Sequence, residues 1–343
     1  VAEESRTPRL SPEEESRLIH EVLEDMVDPG PLGHLLNDPT VTEIMVNGPS
    51  EVFVERDGRL QRTEVRFRDA NHLMATIEQM LNPLGLSVNE SHACCDAHLP
   101  DGSRMNVIIS PLVVNGPVVT IRRKLRPWSI PEYIAGGALS GQVAEFLQAC
   151  VRAKVNMVIS GGTSTGKTTL VAMLSVSIPP TERIITIENV QELELSNSAH
   201  WVRLVAKGAN MEGRGEIPLR TLVRNALRMR PDRIILGEAR GGEALDVVQA
   251  MHTGHDGVIT VLHADSPQAA LERLEALMLM SGLELPPHTC RLQLASAVEL
   301  IVHMARFADG SRRIAAITHM AGLSEKGFVL EDLFTFDVQR FSE

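Results

Sequence analysis

The fold is decided by the stretch Gly161-Gly162-Thr163-Ser164-Thr165-Gly166-Lys167-Thr168. The apolar residues 155–160 before it are typical of a buried strand, and Thr169 with the residues after it is typical of the start of a helix. A strand, a glycine-rich turn and the free N–H groups of a helix N-terminus together form a cradle for phosphate groups. Lys167 is expected to reach the β- and γ-phosphates, and the Thr168 hydroxyl to ligate Mg²⁺. The sequence therefore predicts a Walker A loop that binds a nucleoside triphosphate.

The composition is that of a soluble globular protein. The chain has 343 residues, of which 43% are hydrophobic and 22% charged, and this length is enough for two domains that each bury a core. No apolar run approaches the ~18 residues of a membrane span. The polar, acidic start of the chain does not resemble a signal peptide. We therefore expect a cytoplasmic protein.

Charge and residue usage argue against two classes of protein. The formal net charge of −11 opposes a chain whose main task is to bind nucleic acid. Aromatic residues make up 3% of the chain, which leaves few stacking platforms for single strands. The four cysteines form no CxxC pair, so a zinc site is not expected either: Cys94, Cys95, Cys150 and Cys290.

Patterns in the first third of the chain predict a helix followed by a small domain. Ser11, Pro12 and Glu14 form a capping box ahead of an apolar helical pattern within residues 1–30. Residues 31–124 then alternate short strands with turn signals, around one amphipathic helix near residues 71–84. The sequence predicts a compact α+β domain here.

The rest of the chain follows a different pattern. Residues 125–138 contain two closely spaced prolines and are typical of a semi-rigid linker. Residues 139–343 alternate helices with apolar strands, which predicts a mostly parallel sheet in a βαβ arrangement. The strands are expected at residues 155–160, 183–187, 233–236 and 258–262, with further strand-like segments at 314–318 and 328–330.

Acidic residues follow two of the predicted strands. Glu188 comes directly after residues 184–187, and Glu238 follows Gly237 after residues 234–236. Each could be an ordinary solvated strand terminus. Ligands, however, gather at the carboxyl ends of parallel strands, so both carboxylates are expected beside the phosphate-binding loop. There they could hold Mg²⁺ or orient the attacking water, and Gly237-Glu238 has the Walker B arrangement of a P-loop protein.

Two histidines bracket the last parallel strand. His255 precedes residues 258–262 and His263 follows them. Spacing alone leaves two interpretations open. Each is an ordinary core or surface histidine, or the two sense the γ-phosphate and position its water.

A row of arginines lies between the two acidic strands, at Arg220, Arg224, Arg228 and Arg230. Residues four apart fall on one helix face, and such a row is usually solvated. In an oligomeric ATPase it can instead supply an arginine finger across a subunit boundary.

The motif order resembles the secretion-superfamily ATPases, which power type II secretion, type IV pili and type IV secretion. The resemblance rests on the Walker A loop, Thr186-Ile187-Glu188-Asn189, Gly237-Glu238-Ala239-Arg240-Gly241-Gly242-Glu243-Ala244, Thr253-Gly254-His255 and Leu262-His263-Ala264. Residues 41–49, 54–60, 99–104 and 225–232 are further similar to the CpaF-type ATPase of tight-adherence (Tad/Flp) pili. The likeness covers residues 11–335.

The resemblance implies a fold, an assembly and a set of roles. A PAS-like α+β N-terminal domain would join a RecA-like α/β P-loop ATPase domain in a homohexamer, with ATP between the domains. Glu238 would be the general base, Glu188 would help position Mg²⁺ and water, and His263 would approach the γ-phosphate. By motif position, the arginines that would close on the nucleotide are Arg104, with Arg122 or Arg123, and Arg203, Arg224 or Arg228.

Two positions depart from the family pattern. The acidic box usually has an aspartate where this chain has Asn189, which removes a charge next to Glu188. His98 stands where the related segment commonly has an arginine before Leu99-Pro100-Asp101-Gly102. The four-cysteine zinc module of type II secretion ATPases is absent from the sequence, which favours the pilus branch.

These features predict an ATP-hydrolysing motor at the inner face of the cytoplasmic membrane, acting on an inner-membrane pilus platform and through it on pilin. One alternative is a type IV secretion ATPase that exports protein or DNA. Another, suggested by Asn189, is a nucleotide-gated scaffold with little hydrolysis. A nucleic-acid translocase is disfavoured by the acidic charge and the scarce aromatics.

Overall fold

The computed structural model describes residues 30–56, 58–124, 128–195, 200–208 and 214–337. The chain divides into two compact units, one ending at Leu125 and the other beginning at Arg126. The helix expected within residues 1–30 lies outside the described residues, apart from its last position. Within the described ranges, no helix is long and apolar enough to cross a lipid bilayer.

The first unit is built on one antiparallel sheet. Its strands are β1 Val41–Asn47, β2 Val52–Arg56, β3 Arg59–Arg62, β4 Cys94–His98, β5 Arg104–Ile108 and β6 Val118–Arg122. They lie in the order β3-β2-β1-β6-β5-β4, with every neighbouring pair antiparallel.

In the described part of this unit, two α-helices accompany the sheet, α1 Gly33–Asn37 and α2 Ala70–Leu81. The Asp69 side chain caps α2 by accepting the N–H of His72. Leu73 and Ile77 of α2 are buried in one core with alternate residues of the strands. The described part of the first unit is therefore α+β, and the helix predicted near residues 71–84 ends as a 3₁₀ turn that contains a proline, Asn82–Leu84.

The strands described in the second unit are β7 Met157–Gly161, β8 Ile184–Glu188, β9 Trp201–Val205, β10 Arg233–Leu236, β11 Ile259–His263, β12 Leu300–Arg306, β13 Arg312–Ser324 and β14 Gly327–Thr335. They form one sheet in the order β14-β13-β12-β7-β11-β10-β8-β9. The strands from β12 to β9 are parallel, and β13 and β14 extend the sheet as an antiparallel hairpin. The hairpin is longer than the short segments expected at 314–318 and 328–330, because its two strands pair along most of their length.

Helices connect and cover these strands: α3 Ile130–Ala135, α4 Gly141–Arg152, α5 Lys167–Ser175, α6 Leu219–Ala226, α7 Glu243–His252, α8 Pro267–Leu279 and α9 Pro287–Ala297. The parallel strands other than the edge strand β9 are buried on both faces, with Ile234 in one core and Ile235 in the other. This explains their continuous apolar sequence.

Part of the expected linker is helical. Ser129 and Glu132 form a capping box at the start of α3. Tyr133 of α3 is buried in the core of the second unit, and its ring packs edge-on against Trp128. Residues 128–135 are thus anchored to the second unit, while residues 125–127 lie outside the described residues.

The strand register places the predicted motifs at one sheet edge. Gly161 of β7 pairs with His263 of β11, and Leu236 of β10 pairs with Ile187 of β8. Because these strands are parallel, the phosphate-binding loop, Glu188, Glu238 and His263 all follow the carboxyl ends of neighbouring strands.

Candidate nucleotide-binding site

The loop between β7 and α5 has the backbone expected of a phosphate cradle. Gly161 and Gly166 have φ angles of 150° and 93°, which favour glycine, and Ser164 has a φ of 55°. A Cβ atom at Gly161 would also collide with the carbonyl oxygen of Met304. Thr165 closes the loop by donating its hydroxyl to the Gly162 carbonyl at 3.0 Å. Gly162 and Thr163 complete the turn that leads to the N-terminus of α5, where free N–H groups favour anions.

Lys167, the first residue of α5, is 6% exposed and is held inside the loop. Its Nζ donates to the carbonyls of Gly161 and Gly162 at 2.9 and 2.5 Å. The same Nζ lies 3.3 Å from Nδ1 of His263. Carbonyl and imidazole acceptors thus stabilise the ammonium group in the position from which it would meet phosphate oxygens.

His263 connects this lysine to Glu238. Nε2 of His263 lies 3.2 Å from Oε1 of Glu238. Burial, together with the charge of Lys167, lowers the pKa of His263. A neutral ring that accepts from Lys167 at Nδ1 must carry its hydrogen on Nε2, so we assign it as a donor to Glu238.

Arg240 holds the other oxygen of Glu238. Its guanidinium donates to Oε2 of Glu238 at 2.6 Å. The backbone N–H groups of Arg240 and Gly241 donate to Glu243, which fixes the turn into α7. Both carboxylate oxygens of Glu238 are therefore oriented before any substrate is bound.

Glu188 ends β8 and is 3% exposed. Its Oε1 accepts the N–H groups of Glu192 and Leu193 at 2.9 and 2.8 Å. Its Oε2 is buried and has no hydrogen-bond partner among the described residues. Gly237 makes room for it, because a Cβ there would lie 2.8 Å from Cγ of Glu188. Burial raises the pKa of Glu188, although the two N–H donors oppose the shift.

The oxygen donors at this edge suit a magnesium ion. Thr168 lies in the first turn of α5 and is half-buried. With Glu188 and Glu238 it offers one hydroxyl and two carboxylates, the hard oxygen donors that Mg²⁺ prefers. The buried, unpartnered Oε2 of Glu188 is consistent with a cation or ordered water at this point.

The three candidate arginines of the first unit do not all point the same way. Arg104 pairs with Arg122 on one side and with His98 on the other, so the three side chains share one face of the sheet. Arg123 points the opposite way, and its guanidinium donates to the carbonyls of Asp38 and Val41. The choice left open between Arg122 and Arg123 therefore favours Arg122 as the available cation.

Arg203 of β9 is bound within its own unit. Its guanidinium donates to the carbonyl of Leu193 at 2.9 Å and to Glu194 at 3.2 Å, and it lies 4.4 Å from the ring centroid of Trp201.

The arginine row on α6 is shorter than the sequence pattern suggests. Arg220 and Arg224 both donate to the carboxylate of Asp246, each at 2.7 Å. The helix ends at Ala226, so Arg228 lies beyond it and contacts the side chain of Asn225 instead. The spacing of four residues predicted that Arg228 would continue the helix face of Arg220 and Arg224, and this prediction was wrong. The helix stops earlier because Pro231 and the positive φ of Arg230 follow closely.

The structure separates the two histidines. His263 lies at the carboxyl end of β11, whereas His255 precedes the amino end of the same strand and contacts Thr253. His255 is therefore at the opposite sheet edge from the phosphate-binding loop of its own chain.

Residues 25–327 match the family described as "Type II/IV secretion system protein". The chain belongs to this family of secretion-system ATPases. It is 34% identical over 301 residues to a putative conjugal transfer protein of Mycobacterium tuberculosis, covering 85% of this chain and 84% of that protein. It is 33% identical to the type IV secretion system protein VirB11 of Brucella suis, covering 80% of this chain and 83% of VirB11.

Solved structures of the family share its fold. The DotB ATPase of Legionella pneumophila superposes with a TM-score of 0.59 and 21% identity, covering 98% of this chain and 84% of DotB. The pilus retraction motor PilT with bound ADP superposes with a TM-score of 0.57 and 20% identity, covering 90% of this chain and 83% of PilT. These similarities confirm a RecA-like α/β unit preceded by a smaller PAS-like α+β domain.

Some residues of this family site were not assigned a role from the sequence. Arg240 follows Glu238 by two positions in the motif Gly237-Glu238-Ala239-Arg240. This short spacing was a signal from which the contact between the two side chains could have been predicted. Asp246 and the N–H groups of Glu192 and Leu193 act through contacts that no local spacing indicates.

Proposed function

We propose that this chain is a Mg²⁺-dependent ATP hydrolase that works as a hexameric motor in the assembly of Tad-type pili. The observation that carries the proposal is the contact series from Lys167 through His263 to Glu238 at the carboxyl edge of the sheet. It joins the lysine of a phosphate-binding loop to an oriented carboxylate, which is the combination that phosphoryl transfer to water needs.

Each residue has a defined task in this proposal. The Walker A backbone and Lys167 bind the phosphates, and Glu238 accepts a proton from the water that attacks the γ-phosphorus, giving ADP and inorganic phosphate. His263 orients Glu238 and lies near the position of the γ-phosphate. Thr168, Glu188 and Glu238 would hold Mg²⁺ directly or through water, and the ion would neutralise charge on the β- and γ-phosphates.

Arginines presented by other domains or subunits would complete the site. Arg104 and Arg122 share one sheet face in the first unit. Arg224 lies in the last turn of α6, and Arg228 lies just beyond that helix. A cyclic homohexamer is the assembly in which every subunit receives the same contacts from a neighbour. His255 lies away from the phosphate-binding loop of its own chain, so any contact of His255 with a nucleotide would have to be made in a neighbouring subunit.

The proposed location is the cytoplasmic face of the inner membrane, where the motor would act on pilus platform proteins. Similarity of residues 41–49 and 225–232 to the CpaF-type branch supports the pilus assignment. A type IV secretion role is the second candidate, and the identities with VirB11 and with the mycobacterial conjugal transfer protein favour it.

Phosphate release by the purified chain tests the enzymatic part. We expect Mg²⁺-dependent release that is abolished in Lys167→Ala, because the loop loses its charge on the β- and γ-phosphates. Lys326→Ala, at an exposed hairpin turn, is the matched control and should retain the wild-type rate. A wild-type chain that binds ATP but releases no phosphate would establish the scaffold alternative instead.

Two further measurements test the assembly and the system served. Sedimentation with a non-hydrolysable ATP analogue should show a hexamer, and a monomer with full activity would contradict the ring. Deletion of the gene should remove surface pili, and complementation with Lys167→Ala should not restore them. If the deletion strain kept its pili but no longer exported DNA or protein, the chain would be assigned to type IV secretion instead. DNA is not expected to stimulate turnover.

A further inference from the structure

The loop after Glu188, residues 189–195, is held from two sides. On one side, Oε1 of Glu188 accepts the N–H groups of Glu192 and Leu193. On the other, the guanidinium of Arg203 donates to the carbonyl of Leu193 and to the side chain of Glu194. Leu193 takes part in both sets of contacts, through its N–H and its carbonyl, and it is fully buried.

A third contact strengthens the hold by Arg203. When the side-chain amide of Gln191 is oriented to satisfy both of its ends, its oxygen lies 2.5 and 2.8 Å from Nη2 and Nη1 of Arg203. The planar fork of an arginine suits such an arrangement, because several donors in fixed directions can bind neighbouring acceptors at once. A lysine would present a single ammonium point.

Arg203 is itself fixed by strand pairing. It lies opposite Thr186 in the β8–β9 register, and its guanidinium stacks over the ring of Trp201. The indole of Trp201 donates to the hydroxyl of the buried Thr186 at 2.9 Å. A rigid series of contacts therefore connects the body of β8 to the loop that binds the end of β8.

We propose that Arg203 is a positioning residue that acts within its own chain. By clamping residues 191–194 it presents the two N–H groups that fix Oε1 of Glu188, and so aims Oε2 of Glu188 into the site. Its catalytic consequence rests on the proposed ATPase function, whereas its effect on the loop does not.

The alternative is that Arg203 serves as an arginine finger for a bound nucleotide. A finger must leave its resting partners to reach a phosphate, and its removal would not disturb the loop of the nucleotide-free protein. The two roles therefore differ in a state that contains no ATP.

Hydrogen exchange of the Glu192 and Leu193 amides, measured without nucleotide, separates them. In Arg203→Ala these amides should exchange at least about tenfold faster, because the released loop loses the hydrogen bonds from the two N–H groups to the Glu188 carboxylate. Arg203→Lys should give intermediate protection. Arg291→Ala, which removes an arginine–carboxylate pair with Glu275 on the distant helices α8 and α9, is the control and should match the wild type. Wild-type exchange at both amides in Arg203→Ala would overturn the proposal.

Turnover gives a second readout if the chain hydrolyses ATP. Misplacement of Glu188 should raise the Mg²⁺ concentration needed for half-maximal rate in Arg203→Ala, and Arg203→Lys should partly restore it. A lower kcat with an unchanged Mg²⁺ requirement would instead indicate the finger role. An inactive wild type would contradict the proposed function and leave the exchange result unaffected. Circular dichroism and the unfolding midpoint of each variant establish that the comparison is between folded proteins.

Discussion

Nζ of Lys167 lies 3.3 Å from Nδ1 of His263, although the two residues are 96 positions apart in the chain. The contact exists because β7 and β11 are adjacent and parallel, which aligns Gly161 with His263. The other ring nitrogen of His263 faces Glu238. The imidazole is thus a bridge between the group that binds phosphate and the group proposed to activate water.

Replacement of His263 by leucine should lower kcat with little change in KM for ATP. The variant keeps an apolar side chain of similar size but removes the donor that orients Glu238. We expect a loss of about tenfold or more, as for one hydrogen bond to a charged group. Steady-state phosphate release measures it, with His263→Gln as a partial replacement that keeps a donor and an acceptor. Unchanged kcat in His263→Leu would mean that the bridge has no part in turnover.

Replacement of Glu238 by glutamine should trap ATP. The amide keeps the shape of the side chain but cannot accept the proton of the attacking water, so turnover should fall by about 10²- to 10⁴-fold. Filter binding should then show retained, uncleaved ATP. Glu145→Gln, at an exposed position of α4, is the matched control. Turnover retained with loss of binding would reverse the roles assigned to Glu238 and the loop.

The clamp of two arginines on Asp246 should stabilise the second unit. The side chain of Asp246 is 8% exposed, while those of Arg220 and Arg224 are 26% and 53% exposed. Asp246→Asn leaves two guanidinium groups sharing one neutral oxygen, and partial exposure screens part of the loss. We expect a decrease of about 1–2 kcal/mol in the free energy of unfolding.

Urea unfolding followed by tryptophan fluorescence measures this change, because Trp128 and Trp201 both lie in the second unit. Glu331→Gln, at an exposed strand position facing His319, is the control and should change the free energy by less than about 0.5 kcal/mol. Equal effects of the two substitutions would show that the clamp contributes nothing specific.

The buried His303 predicts a pH dependence of stability. Its Nδ1 lies 3.0 Å from the hydroxyl of Ser160. Burial lowers the pKa of His303; the charge of Asp265 opposes this shift and that of Lys167 adds to it. The folded chain therefore resists a proton that the unfolded chain accepts below about pH 6.5. This contribution to stability is complete above the unfolded-state pKa and is lost as the pH falls toward the folded-state value.

Urea unfolding at pH 7.5, 6.5 and 5.5 tests this sign. The wild type should lose stability on acidification, and His303→Gln should lose less over the same interval. The exposed His288 provides the control, since His288→Gln should follow the wild-type profile. A His303→Gln profile parallel to that of the wild type would exclude His303 as a source of the dependence.

Asn189 is an exposed residue directly after Glu188. An aspartate there would add a charge near the proposed Mg²⁺ site, and a missing neighbouring group of this kind typically costs about 10–100-fold in metal affinity or activity. We expect Asn189→Asp to be nearly neutral, because Oε1 of Glu188 is already held by two N–H donors. A Mg²⁺ titration of turnover decides this, and a large gain in the aspartate variant would support the alternative of a nucleotide-gated scaffold with little hydrolysis.

The sequence predicted the strands that carry the site within a few residues. The segment Arg233–Leu236 was predicted with its observed bounds, and the strand before the phosphate-binding loop was displaced by only one or two positions. Continuous apolar runs between helical patterns are a strong signal, because both faces of a parallel strand are covered. The helix carrying Arg220 and Arg224 was less well predicted, since an arginine spacing of four continues past the end of α6.

The sequence by itself determined the phosphate-binding loop and the α/β class of the second unit. These features are local: glycines permit the positive φ angles at Gly161 and Gly166, and strand and helix patterns flank the loop directly. Contiguous residues therefore contain all the information that the loop requires.

Only the tertiary structure decided which of the remaining candidates share the site. Strand order brought His263 to Lys167 and left His255 at the opposite edge, although both histidines flank the same strand. Side-chain direction likewise placed Arg122 on an open sheet face and Arg123 on backbone carbonyls. The physical reason is that spacing along the chain fixes neither which strands become neighbours nor which buried partners compete for a side chain.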